Sequence, residues 1–220
     1  MGRAQEVQSP SHSQHEEKKT IKNKPGLLVA VIVLLSLATV AVAFAVGPPD
    51  SFQVHTVANL NSGDSFVNIT SAGSAMTSTN TLTSICTNVY VFAPDEQLIA
   101  CCSCTVTPNA LVSLSAQQDL ISNPLTPGVE TSIVIKLLAT AGTSCNASNV
   151  PVANLVPGLR AWATNLHAAP VAGTYAVTET QFSPAVLSEA ELARMTSLCG
   201  NIQANGSGFG ICRSCRLGGR

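Results

Sequence analysis

The stretch "ICTNVYVFAPDEQLIACCSCTV" (residues 85–106) decides the fold class, because it has the pattern of a β-hairpin. Its two arms, 85–92 and 98–106, are rich in Val, Ile, Tyr, Phe and Thr, the residues that favour strands. The Pro94–Glu96 segment between them has the residue types of a turn. The sequence therefore predicts two antiparallel strands that also carry four of the eight cysteines.

Other short apolar runs, separated by turns rich in Pro, Gly and Asn, extend this pattern in both directions. Strands are predicted at 52–57, 66–69, 111–115, 130–140, 159–167 and 174–182. Several short strands divided by turns are typical of two packed sheets. The predicted fold is therefore mainly β: an Ig-like or fibronectin-like β-sandwich, or a Greek-key barrel.

One helix is predicted near the end of the chain, over residues 188–204. Ser188 and Glu191 fit the Ser-x-x-Glu capping box. An apolar stripe at helical spacing follows: Leu187, Leu192, Met195, Leu198 and Ile202. We expect this stripe to pack on the β-domain, and the Gly-rich, Cys-containing tail after it to lack regular structure.

The run "LLVAVIVLLSLATVAVAFAV" (residues 27–46) contains no charge and is long enough to cross a bilayer as a helix. Four lysines precede it, at 18, 19, 22 and 24, and none follows closely. The positive-inside rule then keeps the N-terminus in the cytoplasm and places residues 48–220 outside. Residues 25–47 are either a transmembrane signal-anchor or a signal peptide cleaved near Ala43 or Ala45, which would release a secreted protein.

The remaining organisation follows from composition. Residues 1–24 are polar and predict a disordered cytoplasmic tail. Residues 48–84 form a Ser/Thr-rich linker with the first strands, 85–186 the sandwich core, and 187–220 the helix and Cys-rich tail. Residues 48–220 hold six Lys and Arg against nine Asp and Glu, a formal charge of about −3. This balance disfavours a nucleic-acid partner.

The eight cysteines all lie in the predicted exported part and are disulfide candidates, because thiols outside the cytoplasm usually oxidise. They are Cys86, Cys101, Cys102, Cys104, Cys145, Cys199, Cys212 and Cys215. A hairpin turning about Asp95 places Cys86 opposite Cys104, with Cys102 as the nearest rival, and puts Cys101 on the other face. Cys199 is expected to pair with Cys212 or Cys215.

Two chemical alternatives use the same cysteines. Cys102, Cys104, Cys212 and Cys215 would supply four thiolates to a metal, since Cys-x-x-Cys is a common zinc half-site. A thiol-redox role would use Cys101–Cys104 (CCSC) together with Cys212–Cys215 (CRSC), but the short Gly-rich end of the chain leaves no room for the helix that such a site needs.

The sequence contains no recognisable catalytic motif or cofactor-binding motif. His55 and His167 are the only histidines in the exported part, and both fit ordinary strand positions. Glu189 and Glu191 fit the start of a helix, where negative charge is favourable. We therefore expect a non-enzymatic protein.

Residues 84–220 resemble a family of uncharacterised exported proteins from acidobacterial genomes. The resemblance rests on "VYVFAPDEQLIACCSCTVTPNALVSLS" and "SLCGNIQANGSGFGICRSCR". It implies a bacterial cell-envelope setting and brings no known activity. The predicted function is a surface, adhesive or binding module that is anchored in the membrane through residues 27–46 and takes a protein or glycan ligand.

Overall fold

The computed structural model describes residues 45–76, 82–122, 129–142, 145–206 and 209–212. The predicted cytoplasmic tail, all of the predicted membrane segment except its last residues, and Cys215 lie outside these ranges. The described residues form nine strands and one α-helix. These are β1 (Phe52–Val57), β2 (Phe66–Ser71), β3 (Ile85–Phe92), β4 (Leu98–Val106), β5 (Leu111–Ser115), β6 (Ile133–Ala141), β7 (Leu159–Ala168), β8 (Tyr175–Gln181), β9 (Ser183–Pro184) and α1 (Glu189–Asn205). A π-helical turn lies at Ala116–Leu120 and a 3₁₀ turn at Val152–Asn154.

The strands form two antiparallel sheets. The five-stranded sheet has the order β4-β3-β6-β1-β9, and the four-stranded sheet has the order β5-β2-β7-β8. This confirms the prediction of a mainly β protein with one C-terminal helix. The predicted strand positions agree with the observed ones to within a few residues, except that the two-residue β9 was not predicted.

An inner cluster of buried apolar side chains contains residues from both sheets. Val89 and Ile135 come from the five-stranded sheet, and Ile69, Leu114 and Leu159 come from the four-stranded sheet. All five are essentially inaccessible to solvent. Burying these alternate positions of each strand removes apolar area from water, which supplies the main driving force for folding.

A second, outer cluster lies where α1 packs on the other side of the five-stranded sheet. Tyr90, Phe92 and Leu138 of the sheet meet Leu192 and Met195 of the helix there. The predicted helix stripe is confirmed, as is the cap, because the backbone N–H of Glu191 donates to Ser188 Oγ at 3.2 Å. One face of the five-stranded sheet is thus covered by a helix.

No helix within the described ranges has both the length and the apolar character that crossing a bilayer requires.

Candidate functional site

The hairpin register differs from the predicted one by a single residue. Cys86 lies opposite Thr105, and Cys104 lies opposite Thr87. Ala93 and Gln97 close a three-residue loop in which Glu96 has a positive φ of 71°, and the pairing shifts between Val91 and Phe92. A one-residue slip moves every side chain to the other face.

The predicted pairing of Cys86 with Cys104, or with Cys102, is therefore wrong. Cys86 lies on the face away from both, because residues directly opposite each other share a face. Cys86 instead forms a disulfide with Cys145, at a Cα–Cα distance of 5.3 Å.

The predicted split of adjacent cysteines in β4 is confirmed. Cys101 belongs to the outer cluster beneath α1, whereas Cys102 and Cys104 belong to the inner cluster. Alternation along a strand places neighbours on opposite faces, so the two adjacent thiols cannot bond to the same element.

Two disulfides extend from these adjacent positions. Cys101 bonds to Cys199 of α1, with a Cα–Cα distance of 5.8 Å, and Cys102 bonds to Cys212, with a distance of 5.4 Å. The predicted pairing of Cys199 with Cys212 or Cys215 is wrong, because the buried face of α1 lays Cys199 over β4. Cys104 is disulfide-bonded as well.

The segment around Cys212 also covers the edge of the five-stranded sheet. The backbone N–H of Cys101 donates to the Gly210 carbonyl at 2.8 Å, and Ile211 forms a parallel bridge with Cys101. The Cys102–Cys212 disulfide holds this segment beside β4. An edge strand that would otherwise present unpaired backbone groups is thereby occupied.

The alternative thiolate chemistries need reduced cysteines. Cys102 and Cys212, two members of the alternative metal set, are joined to each other, and every described cysteine is oxidised. A sulfur in a disulfide is not a thiolate ligand or nucleophile. Across the described ranges, no group of three or more His, Cys, Asp or Glu side chains is assembled as a metal site would need.

His55 and His167, the two histidines in the described ranges, make contacts with neutral groups. His55 Nε2 lies 2.9 Å from Asn165 Nδ2, and its ring centroid is 4.8 Å from that of Phe182. Partial burial lowers the pKa of His55, because desolvation disfavours the imidazolium. His167 Nε2 lies 2.7 Å from Thr178 Oγ1. Both histidines thus make ordinary structural contacts with residues of neighbouring elements.

The carboxylates at the start of α1 also have a structural setting. Glu191 forms an ion pair with Lys136 of β6, and both side chains are largely buried. Arg194, one turn further on, lies 3.6 Å from the other oxygen of Glu191. Together with the cap these contacts fix the start of the helix on the sheet.

The outward-facing side of the four-stranded sheet is the second candidate site, and we call it the outer face. Four of its side chains are exposed although they are large and apolar: Phe66 (47%), Leu111 (59%), Tyr175 (39%) and Val177 (63%). Trp162 lies between Asn68 and Gln181 in the register and is partly buried. These side chains share one face of the sheet but lie at separate positions on three strands, so they offer several apolar contacts with polar groups between them.

The polar groups of the outer face are mostly neutral. Asn68 accepts a hydrogen bond from Ser113 Oγ across the strands, and Thr70 donates to the Ala110 carbonyl. Arg160, the cation of this face, lies 2.9 Å from a carboxylate oxygen of Asp50. Amide and hydroxyl groups therefore surround the apolar side chains.

None of the outer-face residues was selected from the sequence as a site. The sequence signal that could have found them is the alternation in β2 and β7. It places Phe66 and Trp162 on the face opposite to that of the buried Val67 and Ala161. Alternation alone does not show which face a second layer covers.

A shallow groove of about 330 Å³ lies where the described chain begins, lined by residues 45–52 and 184–187. The backbone N–H of Val46 donates to the Leu187 carbonyl at 2.9 Å, and its side chain packs against the outer cluster. The last residue of the predicted apolar run thus belongs to the folded domain.

Comparison of the chain with models of protein families, with curated proteins and with solved structures gave no match.

Proposed function

We propose that this protein is a non-enzymatic, disulfide-stabilised β-sandwich displayed outside the cytoplasm of a bacterial cell, where the outer face of its four-stranded sheet binds a polysaccharide. The sandwich is meant in the general sense of two packed sheets, since only two pairs of consecutive strands, β3-β4 and β7-β8, are neighbours. An Ig constant domain has three such pairs.

The state of the cysteines supports the compartment. All described cysteines are in disulfides, including three pairs that are distant in sequence. Such bonds persist in oxidising compartments and are rare in the cytosol. The lysines before residues 27–46 and the resemblance to exported acidobacterial proteins support the same location.

The observation that carries the binding function is the contrast between the two exterior sides of the domain. The five-stranded sheet is covered by α1, which is tied down through Cys101–Cys199. The outer face of the four-stranded sheet exposes Phe66, Leu111, Tyr175 and Val177 to solvent. Exposed apolar side chains that share one uncovered face can supply the apolar contacts of a binding site.

The chemistry of the outer face favours a neutral, hydroxyl-rich ligand. Its aromatic rings can lie against the C–H faces of sugar rings, while neighbouring amide and hydroxyl groups can bond sugar hydroxyls. Arg160 is already engaged by Asp50, and Glu179 adds one exposed carboxylate, so the face offers little charge to an ionic partner. A polysaccharide without charged groups is both neutral and rich in hydroxyl groups, so it fits this face.

Retention on insoluble polysaccharides tests the proposal. The full chain, purified in mild detergent, is incubated with peptidoglycan, cellulose and chitin, and the bound fraction is measured. We expect retention on at least one of them, and a loss of about tenfold in affinity for Phe66→Ser, the equivalent of about 1.4 kcal/mol.

Phe209→Ser is the matched control, because Phe209 is 44% exposed and Phe66 is 47% exposed, but Phe209 lies outside the outer face. The control should bind like the unmodified chain. Absence of retention on all three polysaccharides, or an equal loss in both variants, would contradict the proposed site. Retention on an immobilised protein alone would replace the polysaccharide with a protein ligand.

A further inference from the structure

Among the described strands, β8 is an uncovered edge of the four-stranded sheet. It is last in the order β5-β2-β7-β8, and all seven of its residues are exposed on both faces. Its sequence, YAVTETQ, contains no proline, no lysine and a single charge. Prolines, lysines and other charged side chains normally protect an edge strand from pairing, and β8 has little of this protection.

The other edges of the two sheets are occupied, or belong to strands shorter than β8. The β4 edge is occupied by the segment that ends at Cys212, and the opposite edge is the two-residue β9. In β5 the backbone N–H of Ser115 is taken by a carboxylate oxygen of Asp119, at 2.8 Å. Strand β8 is thus the long edge left available for pairing among the described strands.

The hydrogen-bonding phase of β8 can be read from its two ends. The Phe182 N–H donates to Ala161, and the Ala169 N–H donates to Thr174, both within the β7–β8 register. Paired residues in an antiparallel ladder alternate between bonded and non-bonded positions. The even-numbered residues of β8 therefore bond to β7.

The odd-numbered residues consequently turn their backbone N–H and C=O groups to the free edge: Tyr175, Val177, Glu179 and Gln181. The side chains of the same four residues lie on the outer face. A strand that pairs here would be joined by backbone bonds and would extend the outer face at the same time.

We propose that the occupant of this edge is β8 of a second copy of the chain, paired antiparallel about a two-fold axis at Val177. In this register Val177 lies opposite its own copy, and Tyr175 lies opposite Glu179 on each side. The pairing forms about six backbone hydrogen bonds. On the other face, Ala176 lies opposite Thr178, so only small side chains meet.

Charge favours this register over the neighbouring one with its axis at Thr178. With the axis at Val177, the two Glu179 carboxylates are separated by four residues along the strands, about 14 Å. With the axis at Thr178, the two Glu179 carboxylates would lie at diagonal positions, about 8 Å apart. Each Glu179 would then lie opposite Val177 of the other copy. The first arrangement separates like charges and gives each carboxylate a tyrosine hydroxyl within reach.

The result is a continuous eight-stranded sheet whose outer face is twice as wide. Isologous pairing of this type closes on itself and leaves no free β8 edge. The proposal does not depend on the polysaccharide ligand, and a monomer could still bind one.

The mass of the full chain in mild detergent, measured by light scattering after size exclusion, tests the dimer. Val177→Glu places two carboxylates opposite each other at the axis and should give a monomer. Val171→Glu is the matched control, because Val171 is 67% and Val177 63% exposed, but Val171 precedes β8. It should remain a dimer with the unmodified melting temperature. Val177→Glu should stay folded, since Val177 is not buried, but should lose the concentration-dependent part of the melting temperature that dimerisation adds.

Single cysteines test the register under mild oxidation. Val177→Cys should cross-link two copies, because Cα atoms at a bonded pair are about 5.5 Å apart, within disulfide range. Gln181→Cys should not, because its copies would be about 27 Å apart. A monomeric unmodified chain, a dimer that survives Val177→Glu, or cross-linking through Thr178→Cys in place of Val177→Cys would each overturn the proposal.

Discussion

Tyr90 links the five-stranded sheet to the loop that follows β6, and replacing it with phenylalanine isolates one buried hydrogen bond. Its side chain is fully buried, and its hydroxyl donates to the Ala147 carbonyl at 2.7 Å. Phenylalanine keeps the ring and its packing, so the change removes the donor and leaves the Ala147 carbonyl buried without it. Such an unsatisfied group costs about 1–3 kcal/mol.

The assay is equilibrium unfolding of the non-reduced full chain in guanidinium, followed by the fluorescence of Trp162, the single tryptophan. We expect Tyr90→Phe to lower the free energy of unfolding by about 1–3 kcal/mol with an unchanged slope. Tyr175→Phe is the control, since Tyr175 is the other tyrosine and is 39% exposed. Its effect should stay below about 0.5 kcal/mol. Equal stability of the two variants would refute the buried bond.

The same tyrosine gives a spectroscopic check. Burial raises the pKa of Tyr90 well above the ordinary phenol value of about 10. The folded state therefore retains the proton that the unfolded state loses, so this contribution to stability is present below pH 10 and declines as the pH rises further. In Tyr175→Phe, tyrosinate absorbance should rise only with unfolding. A titration near pH 10 in the folded protein would contradict the burial.

Other predictions concern α1 and the edge of the inner core. Met195→Ala should cost about 2–5 kcal/mol of stability, because Met195 is fully buried under the helix, whereas Met76→Ala, at 53% exposure, should change it by less than about 0.5 kcal/mol in the same assay. Ser188→Ala should cost about 1 kcal/mol through loss of the cap to the Glu191 N–H, and Ser188→Asp should restore most of it. Because burial lowers the pKa of His55, its contribution to stability should be present above pH 6.5 and decline as the pH falls below it; the melting temperature of His55→Gln should fall less than that of the unmodified chain between pH 7 and pH 5.

Secondary structure was largely predictable because local rules agree with the tertiary structure here. The β3 and β4 arms alternate correctly and carry β-favouring residues, and their observed bounds match the predicted ones. Ser188 caps α1 as its Ser-x-x-Glu motif indicates. Each of these signals lies within a few residues of the element that it predicts.

Disulfide connectivity was not predictable, because it depends on two geometric details that the residues do not encode locally. The positive φ at Glu96 and the irregular pairing at Val91 shift the hairpin register by one, which sends Cys86 to the opposite face. The partner of Cys101 depends on where α1 docks, and that is decided by packing against Tyr90 and Leu138, far away in sequence.

The outer face was missed for a related reason. Alternation in β2 and β7 identifies two faces but does not say that α1 covers the other sheet and leaves this one exposed. Only the docking of the helix distinguishes the positions of Phe66 and Trp162 from ordinary surface positions.

The central claim is that disulfides join the five-stranded sheet to α1 and to the segments around Cys145 and Cys212. Peptide mapping of the non-reduced full chain tests this claim most directly. The account predicts linked peptides for Cys86–Cys145, Cys101–Cys199 and Cys102–Cys212, and a Cys104 peptide that is also disulfide-linked. Reduction should then add about 8 Da to the intact mass. A Cys86–Cys104 peptide, or Cys102 and Cys212 recovered as free thiols with a bound metal, would contradict it.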